Sequence, residues 1–302
     1  MYFKKPIIDK INETYFRQFQ GTSLFPLKED LINITEFKEA MFSLQGKDFK
    51  NLSLGINSVD KLLQDLEYLT PEKTYAKSKI GNSLLTNYKS AYSNIIKRMK
   101  KFSSVTCETI SVLRSFKEDS YIVGGFVRDT IADKSYNDID FCTSISYEEL
   151  SEKFVEAGFL AKDVGKQFLV LNVYKDLEHF EIAALRSDMD NSGPVRGTIE
   201  EDAKRRDFVN SCIYFSLKKV ELIDPSGEAI KDCKNNVLRF MGKPKDRIKE
   251  DTARVFRGYK MIGRGWEPDK KTLKALRENF EYALRKTSAT RVMNEIEKMV
   301  GL

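Results

Sequence analysis

Asp138 and Asp140 stand one residue apart in the run Asn137-Asp-Ile-Asp140. If that run is a strand, the two-residue period of extended backbone puts both carboxylates on one face. Carboxylates so placed can bridge divalent ions roughly 3.5–4 Å apart, which activate an attacking hydroxyl and neutralise a triphosphate during in-line displacement. Alone, Asp-x-Asp is a weak signal, because on a surface loop it is merely solvated. Its surroundings strengthen it. Gly124-Gly125 closes the apolar stretch Tyr121-Ile-Val123 and opens a helical one, and the missing side chains let a triphosphate approach backbone N–H groups at the helix start. Arg128 follows one turn on, either as a cation for that phosphate or in a surface ion pair with Asp129 that is worth little. Glu181 falls on a later strand, where it either adds a third acid to the pair or is simply solvated.

Three zones must position these groups. Residues 1–110 read as a helical N-terminal extension, with amphipathic stretches at 31–41, 58–69 and 84–102. Residues 111–236 alternate short strands (121–123, 138–143, 168–174, 180–185, 213–216, 220–223) with helices at 126–132 and 147–157, the second N-capped by Ser146. The polar segment 175–178 joins two of those strands as a hairpin. Residues 237–302 are helical again, at 248–262, 270–279 and 288–300. The class expected is α+β, a small mixed sheet flanked by helical segments.

Composition narrows the chemistry. The chain has 302 residues, 41% of them hydrophobic, with no apolar run near the roughly 18 residues of a membrane span and no secretory leader. A cytoplasmic location is expected. Four scattered cysteines form no Cys-x-x-Cys pair, and a single histidine, His179, leaves no multi-histidine metal site and little scope for Ser-His-Asp catalysis. Catalysis must therefore rest on carboxylates, arginines and bound ions. The net charge of +6 is uneven, for Lys73–Lys101 carries eight basic residues and no acid. Lys77, Lys79, Lys89, Lys97, Arg98 and Lys100 of that stretch, interleaved with Tyr75, Tyr88 and Tyr92, suit an RNA backbone with bases to stack, or else form a solvated helix face.

The motifs Gly124-Gly-Phe-Val-Arg-Asp129, Asn137-Asp-Ile-Asp140, Arg205-Arg-Asp-Phe208 and Glu250-Asp-Thr-Ala-Arg254 occur in the order and spacing of one family. Together they resemble the class II tRNA nucleotidyltransferases and bacterial poly(A) polymerases. Leu222-Ile-Asp-Pro-Ser-Gly227, Asn236-Val-Leu-Arg239, residues 270–279 and Ser288-Ala-Thr-Arg-Val-Met-Asn-Glu295 extend the likeness over about residues 118–300. The resemblance implies a polymerase β-like nucleotidyltransferase head at 111–236, followed by a helical neck and a truncated body at 237–302. It makes Asp138 and Asp140 the Mg²⁺-binding carboxylates, and it has Arg205, Arg206 and Asp207 hold the incoming nucleotide. It assigns Asp251 and Arg254 to an amino-acid template selecting CTP and ATP. The residues allow this, because a carboxylate and a guanidinium three apart on one helix can meet a base edge; they can equally form an intrahelical salt bridge. Family members continue into a body and tail that grip tRNA, whereas this sequence stops at Leu302, so the basic stretch at 73–101 is the candidate substitute.

The function expected is addition of CMP and AMP from CTP and ATP to a tRNA 3′ end. The alternatives are a poly(A) polymerase, whose point of termination depends on a pocket and a mobile loop around 187–197, and a catalytically silent RNA-binding protein of the same fold. A transferase that blocks tRNA by modifying it, as a toxin does, is a further possibility.

Overall fold

The computed structural model describes residues 82–162, 167–190 and 193–300. The expected helices at 31–41 and 58–69, with Tyr75, Lys77 and Lys79, lie outside the described residues. Contacts divide the rest into two compact units, one ending at Met241 and the other starting at Gly242. No helix of the described residues is long and apolar enough to cross a membrane.

The first unit opens with α1 (Asn82–Met99) and α2 (Ser104–Ser115), then alternates β1 (Ser120–Val123), α3 (Gly125–Ile131), β2 (Asp140–Thr143), α4 (Tyr147–Glu156) and β3 (Leu160–Lys162). It continues through β4 (Val170–Lys175), β5 (Glu178–Ala184), β6 (Arg186–Asp190), β7 (Gly193–Arg196), α5 (Ile199–Arg205), β8 (Tyr214–Ser216), β9 (Leu222–Ile223) and α6 (Ala229–Lys234). Seven strands form one sheet in the order β3-β4-β5-β2-β1-β8-β9. Of its pairings, β2–β5 is parallel, while β1–β2, β1–β8, β3–β4, β4–β5 and β8–β9 are antiparallel, so the sheet is mixed as expected.

Period two assigns the two faces. Ile122, Phe141, Leu171, Val173, Phe180, Ile182 and Phe215 point to one face and are buried almost completely. Phe215 meets Tyr92 of α1 there, and Phe141 meets Phe180. On the opposite face, Val123, Cys142 and Tyr214 cluster with Leu185, Cys212 and Ala203 of α5. Local signals start two of the helices. Ser146 and Glu149 form a capping box at α4, and Thr198 and Glu201 form another at α5.

Several expectations are corrected here. The first boundary was placed at 110/111, yet α1 belongs to the same unit as the sheet. Its apolar stripe, Ala91, Tyr92, Ile95 and Met99, is buried, which a helix turned wholly outward toward RNA would not show. Tyr88 is no stacking platform either. Its hydroxyl donates to the Leu222 carbonyl (2.6 Å) and accepts the Leu222 N–H (2.8 Å), so it occupies main-chain groups of the edge strand β9. Arg98 is likewise committed, donating to the Lys134 carbonyl at 2.5 Å and lying 3.6 Å from Asp133. Lys89, Lys97 and Lys100 are exposed. The segment around 187–197, expected as a mobile loop, forms the β6–β7 hairpin, and the short edge strand β3 was not anticipated.

The second unit consists of α7 (Pro244–Glu250), α8 (Arg254–Gly263), α9 (Lys270–Glu278), α10 (Phe280–Lys286) and α11 (Ala289–Val300). The single helix expected at 248–262 is broken, because Asp251 is extended (φ −146°, ψ 105°) and the chain turns through Thr252 and Ala253 before α8 begins. Helices α8 and α9 approach closely at Gly258. A Cβ there would lie 2.7 Å from the buried Leu276 Cδ2. Gly258→Ala is therefore expected to destabilise this unit by about 1–3 kcal/mol through overpacking, despite alanine's better helix propensity. Urea denaturation checks it, and an unchanged or raised midpoint would show that Leu276 repacks at no cost.

Candidate active site

Asp138 and Asp140 converge over the two glycines, though not by the route expected. Strand β2 begins only at Asp140, and Asp138 lies in the loop before it. What brings the carboxylates together is the β1–β2 register, which pairs Val123 with Asp140 and so sets the end of β1, with Gly124-Gly125, beside the acids. A Cβ built on Gly124 would stand 3.0 Å from Asp140 Oδ2, and one on Gly125 would stand 3.3 Å from Asp138 Oδ1. Gly124 also has φ of +72°, the left-handed region where a side chain is strained. Both glycines thus keep the space in front of the carboxylates clear.

Electrostatics mark the place. Burial, followed by the charges of Asp138 and Glu181, pushes the Asp140 carboxyl up to about 7, while Arg206 and Arg128 pull it down. Glu181 therefore lies close enough for its charge to be felt. Among the described residues, however, no three acidic, imidazole or thiol groups are placed to hold a metal ion. The two acids that stand over the glycines, Asp138 and Asp140, are the residues that could hold one. That pair suits a hard divalent cation. It offers carboxylate oxygens above a side-chain-free cradle, and their mutual repulsion is what a cation relieves.

Arg128 is buried, and its pair with Asp129 is no surface contact. Nε donates to Oδ1 at 2.7 Å and Nη2 to Oδ2 at 2.8 Å, while Nη1 reaches Ser211 Oγ at 3.4 Å. The pair fixes the guanidinium, whose Nη2 would lie 3.9 Å from a Cβ on Gly125.

Asp202 was missed as a functional residue. Its carboxylate is fully buried and accepts from Arg205 Nε (2.9 Å) and Nη2 (2.5 Å), Arg206 Nε (3.0 Å) and the Tyr214 hydroxyl (2.7 Å). Burial alone pushes its carboxyl up, but Arg206, Arg205 and Tyr214 outweigh that and hold it below the usual range. Arg206 also lies over the Tyr214 ring, 5.2 Å from its centroid. The spacing of Asp202 three and four residues before the tandem arginines was the available signal. The backbone carbonyl of Asp207 accepts from the Met241 N–H.

Within the second unit Asp251 and Arg254, which could have formed an intrahelical salt bridge, each have other partners. Asp251 Oδ2 accepts from Arg257 (2.7 Å) and Arg291 (2.9 Å), and Oδ1 accepts from the Ala253 N–H. Burial pushes its carboxyl up, yet these partners win and hold it at about 2. Arg254 donates to the Arg247 carbonyl (2.6 Å) and to Glu250 Oε2 (2.8 Å). The helix break at Asp251 is why, since three residues apart no longer means one face.

Comparison with known proteins agrees with this geometry. Residues 120–239 match the poly A polymerase head domain. The CCA-adding enzyme of Lactobacillus helveticus is 29% identical over 213 residues, 67% of this chain and 52% of that protein. The mitochondrial CCA tRNA nucleotidyltransferase 1 of Danio rerio is 31% identical over 217 residues, 67% of this chain and 50% of its own. The crystal structure of the Bacillus stearothermophilus CCA-adding enzyme in complex with CTP superposes with a TM-score of 0.57 at 25% identity, covering 66% of this chain and 49% of that one. The Thermotoga maritima CCA-adding enzyme complexed with tRNA_CCA, at 22% identity and a TM-score of 0.54, shares the fold over 70% of this chain and 50% of its own. The chain spans about half the length of the relatives it matches. With the shared nucleotidyltransferase fold and the convergence of Asp138 and Asp140 over Gly124-Gly125, residues 120–239 are those of a poly A polymerase head domain, and the chain is similar to the CCA-adding enzymes over about half of their length.

Proposed function

We propose that this protein is a template-independent nucleotidyltransferase that adds CMP and AMP from CTP and ATP to the 3′ end of a tRNA, working in the cytoplasm. The observation that carries the reading is the paired carboxylate over a glycine cradle with fixed guanidiniums nearby, an arrangement that an RNA-binding module has no use for. Relatives named as CCA-adding enzymes support the choice of reaction, and neighbours crystallised with CTP or with tRNA and an ATP analogue support the substrates.

In this reading Asp138 and Asp140 hold Mg²⁺. When bound, it supplies charge neutralisation at the triphosphate and lowers the pKa of the RNA 3′-hydroxyl. The chain's own residues do the rest. Gly124 and Gly125 admit the triphosphate to within reach of the carboxylates. Arg206, held by Asp202 and Tyr214, and Arg128, held by Asp129, present fixed positive charge to its phosphates, with Arg205 and Asp207 beside them. Because their partners already orient them, little reorganisation is needed as charge develops. Asp251 and Arg254 select the base. Asp251 stays ionised across the physiological range, so it is a constant acceptor.

Asp251→Ala and Arg254→Ala are expected to blur nucleotide choice by about tenfold in relative kcat/KM, the value of one good base-edge contact. Unchanged preference between CTP and ATP would remove the template role. The reaction itself is tested with Mg²⁺, each labelled triphosphate in turn, and tRNAs ending before CCA, after C or after CC. Addition stopping at a completed CCA is the expected outcome. A long A-tail would make the protein a poly(A) polymerase, and no incorporation would sink the enzymatic reading.

A further inference from the structure

The sheet register lays a row of side chains outward from the catalytic pair. Lys162 pairs with Asn172, and Asn172 with Glu181. Phe141 pairs with Ile182 in the parallel step, which brings Asp140 level with Glu181. Residues paired across neighbouring strands share a face. Asp140, Glu181, Asn172 and Lys162 therefore run in line across β2, β5, β4 and β3. The next row on that face is His179 with Tyr174. The two rings stack, with centroids 4.5 Å apart and planes 22° from parallel. Lys162 Nζ stands 4.4 Å from the Tyr174 centroid, and His179 Nε2 lies 2.9 Å from Asn172 Oδ1.

This face is divided. Over β1, β2 and β8 it is covered, where Val123, Cys142 and Tyr214 pack with Ala203 of α5. Over β5 and β3, Glu181, His179 and Lys162 are exposed. Arg206 sits on the covered side, over Tyr214 of β8, and Arg128 lies just past the end of β1, on the helix that follows it. A triphosphate drawn to them has its leaving pyrophosphate toward β1 and β8. In-line displacement requires the attacking oxygen to arrive from the opposite side, which is the side of β5, β4 and β3.

We infer that the open half of the sheet seats the 3′-terminal nucleotides of the RNA acceptor. Lys162 meets a backbone phosphate, the His179–Tyr174 ledge stacks the terminal base, and Asn172 takes a ribose or base-edge hydrogen bond. Stacking on aromatic rings beside a cation is how single strands are held without strict sequence demands. The inference rests on the proposed transfer reaction, and it continues directly from the carboxylate pair.

The probe is an acceptor-stem minihelix with 4-thiouridine as its 3′-terminal nucleotide, irradiated with the full chain and mapped by mass spectrometry. Adducts are expected on the peptides carrying Asn172, Tyr174 and His179. Lys162→Ala and His179→Ala, both exposed positions, are expected to raise KM for the RNA by about tenfold and leave KM for the triphosphate within about twofold. Adducts confined to other segments, or an unchanged KM for RNA, would overturn the inference. A wild-type protein that incorporates no nucleotide but still crosslinks through β4 and β5 would sink the transfer reaction and keep the RNA surface.

Discussion

Asp140→Ala, and equally Asp138→Ala, is expected to lower nucleotide transfer by about a thousandfold or more while the protein stays folded. The size follows from the role. Losing about 4 kcal/mol of charge stabilisation at the reacting phosphate corresponds to about a thousandfold in rate. The fold survives because Asp140 is a liability to it, its carboxyl raised to about 7 by burial and by Asp138 and Glu181. Removing a carboxylate that repels its neighbours relieves the native state, so the melting temperature is expected to hold or rise. Transfer assays beside thermal denaturation test both halves. Retained activity in either variant would remove the metal-binding assignment, and loss of activity with collapse of the fold would make the residue structural.

Asp202→Ala has the opposite signature. Four groups converge on that buried carboxylate, the Arg186 N–H with Arg205, Arg206 and Tyr214, and removing it takes a counter-charge from both guanidiniums. Breaking a buried pair from one side costs about 3–5 kcal/mol, to be read from the urea midpoint. Transfer should fall with it, because Arg206 loses what orients it. The pH dependence separates charge from shape. A carboxyl depressed in the folded state stabilises fully above its unfolded pKa, near 3.9, and loses that contribution as pH falls through the lower folded value. Wild-type stability should therefore drop below about pH 4, and Asp202→Asn should lack that part of the drop. An Asp202→Ala variant as stable as wild type would mean that the arginines find other partners.

The chemistry was more legible in the sequence than the geometry that assembles it. Asp138, Asp140, Gly124 and Gly125 announce themselves because their spacing carries meaning over a few residues. Asp202 announces itself only in part. Its link to Arg205 and Arg206 is helical spacing, but its third partner, Tyr214, arrives from a strand whose pairing no local pattern encodes. The helix around Asp251 is a different case, since periodicity runs one helix through Asp251 and misses the turn that hands it to Arg257 and Arg291. Strand β3 has three residues, too few for alternation to register. In the basic stretch, an apolar stripe runs between the cations and sets the packing of α1. Ala91, Ile95 and Met99 decide where α1 goes, and Lys97 and Lys100 merely face out.

The hydroxyl of Tyr88 that satisfies Leu222 has a bearing on how this head could be reused as a part. An outermost strand whose main-chain donors and acceptors are bare is a template for another chain to add to, and so a route to aggregation. Here one side chain, contributed from well over a hundred residues away in sequence, blocks that route. A fragment cut at the start of the recognisable family segment would keep every catalytic group and lose this guard. Portability of the catalytic centre is therefore limited by a tyrosine that has no part in the chemistry.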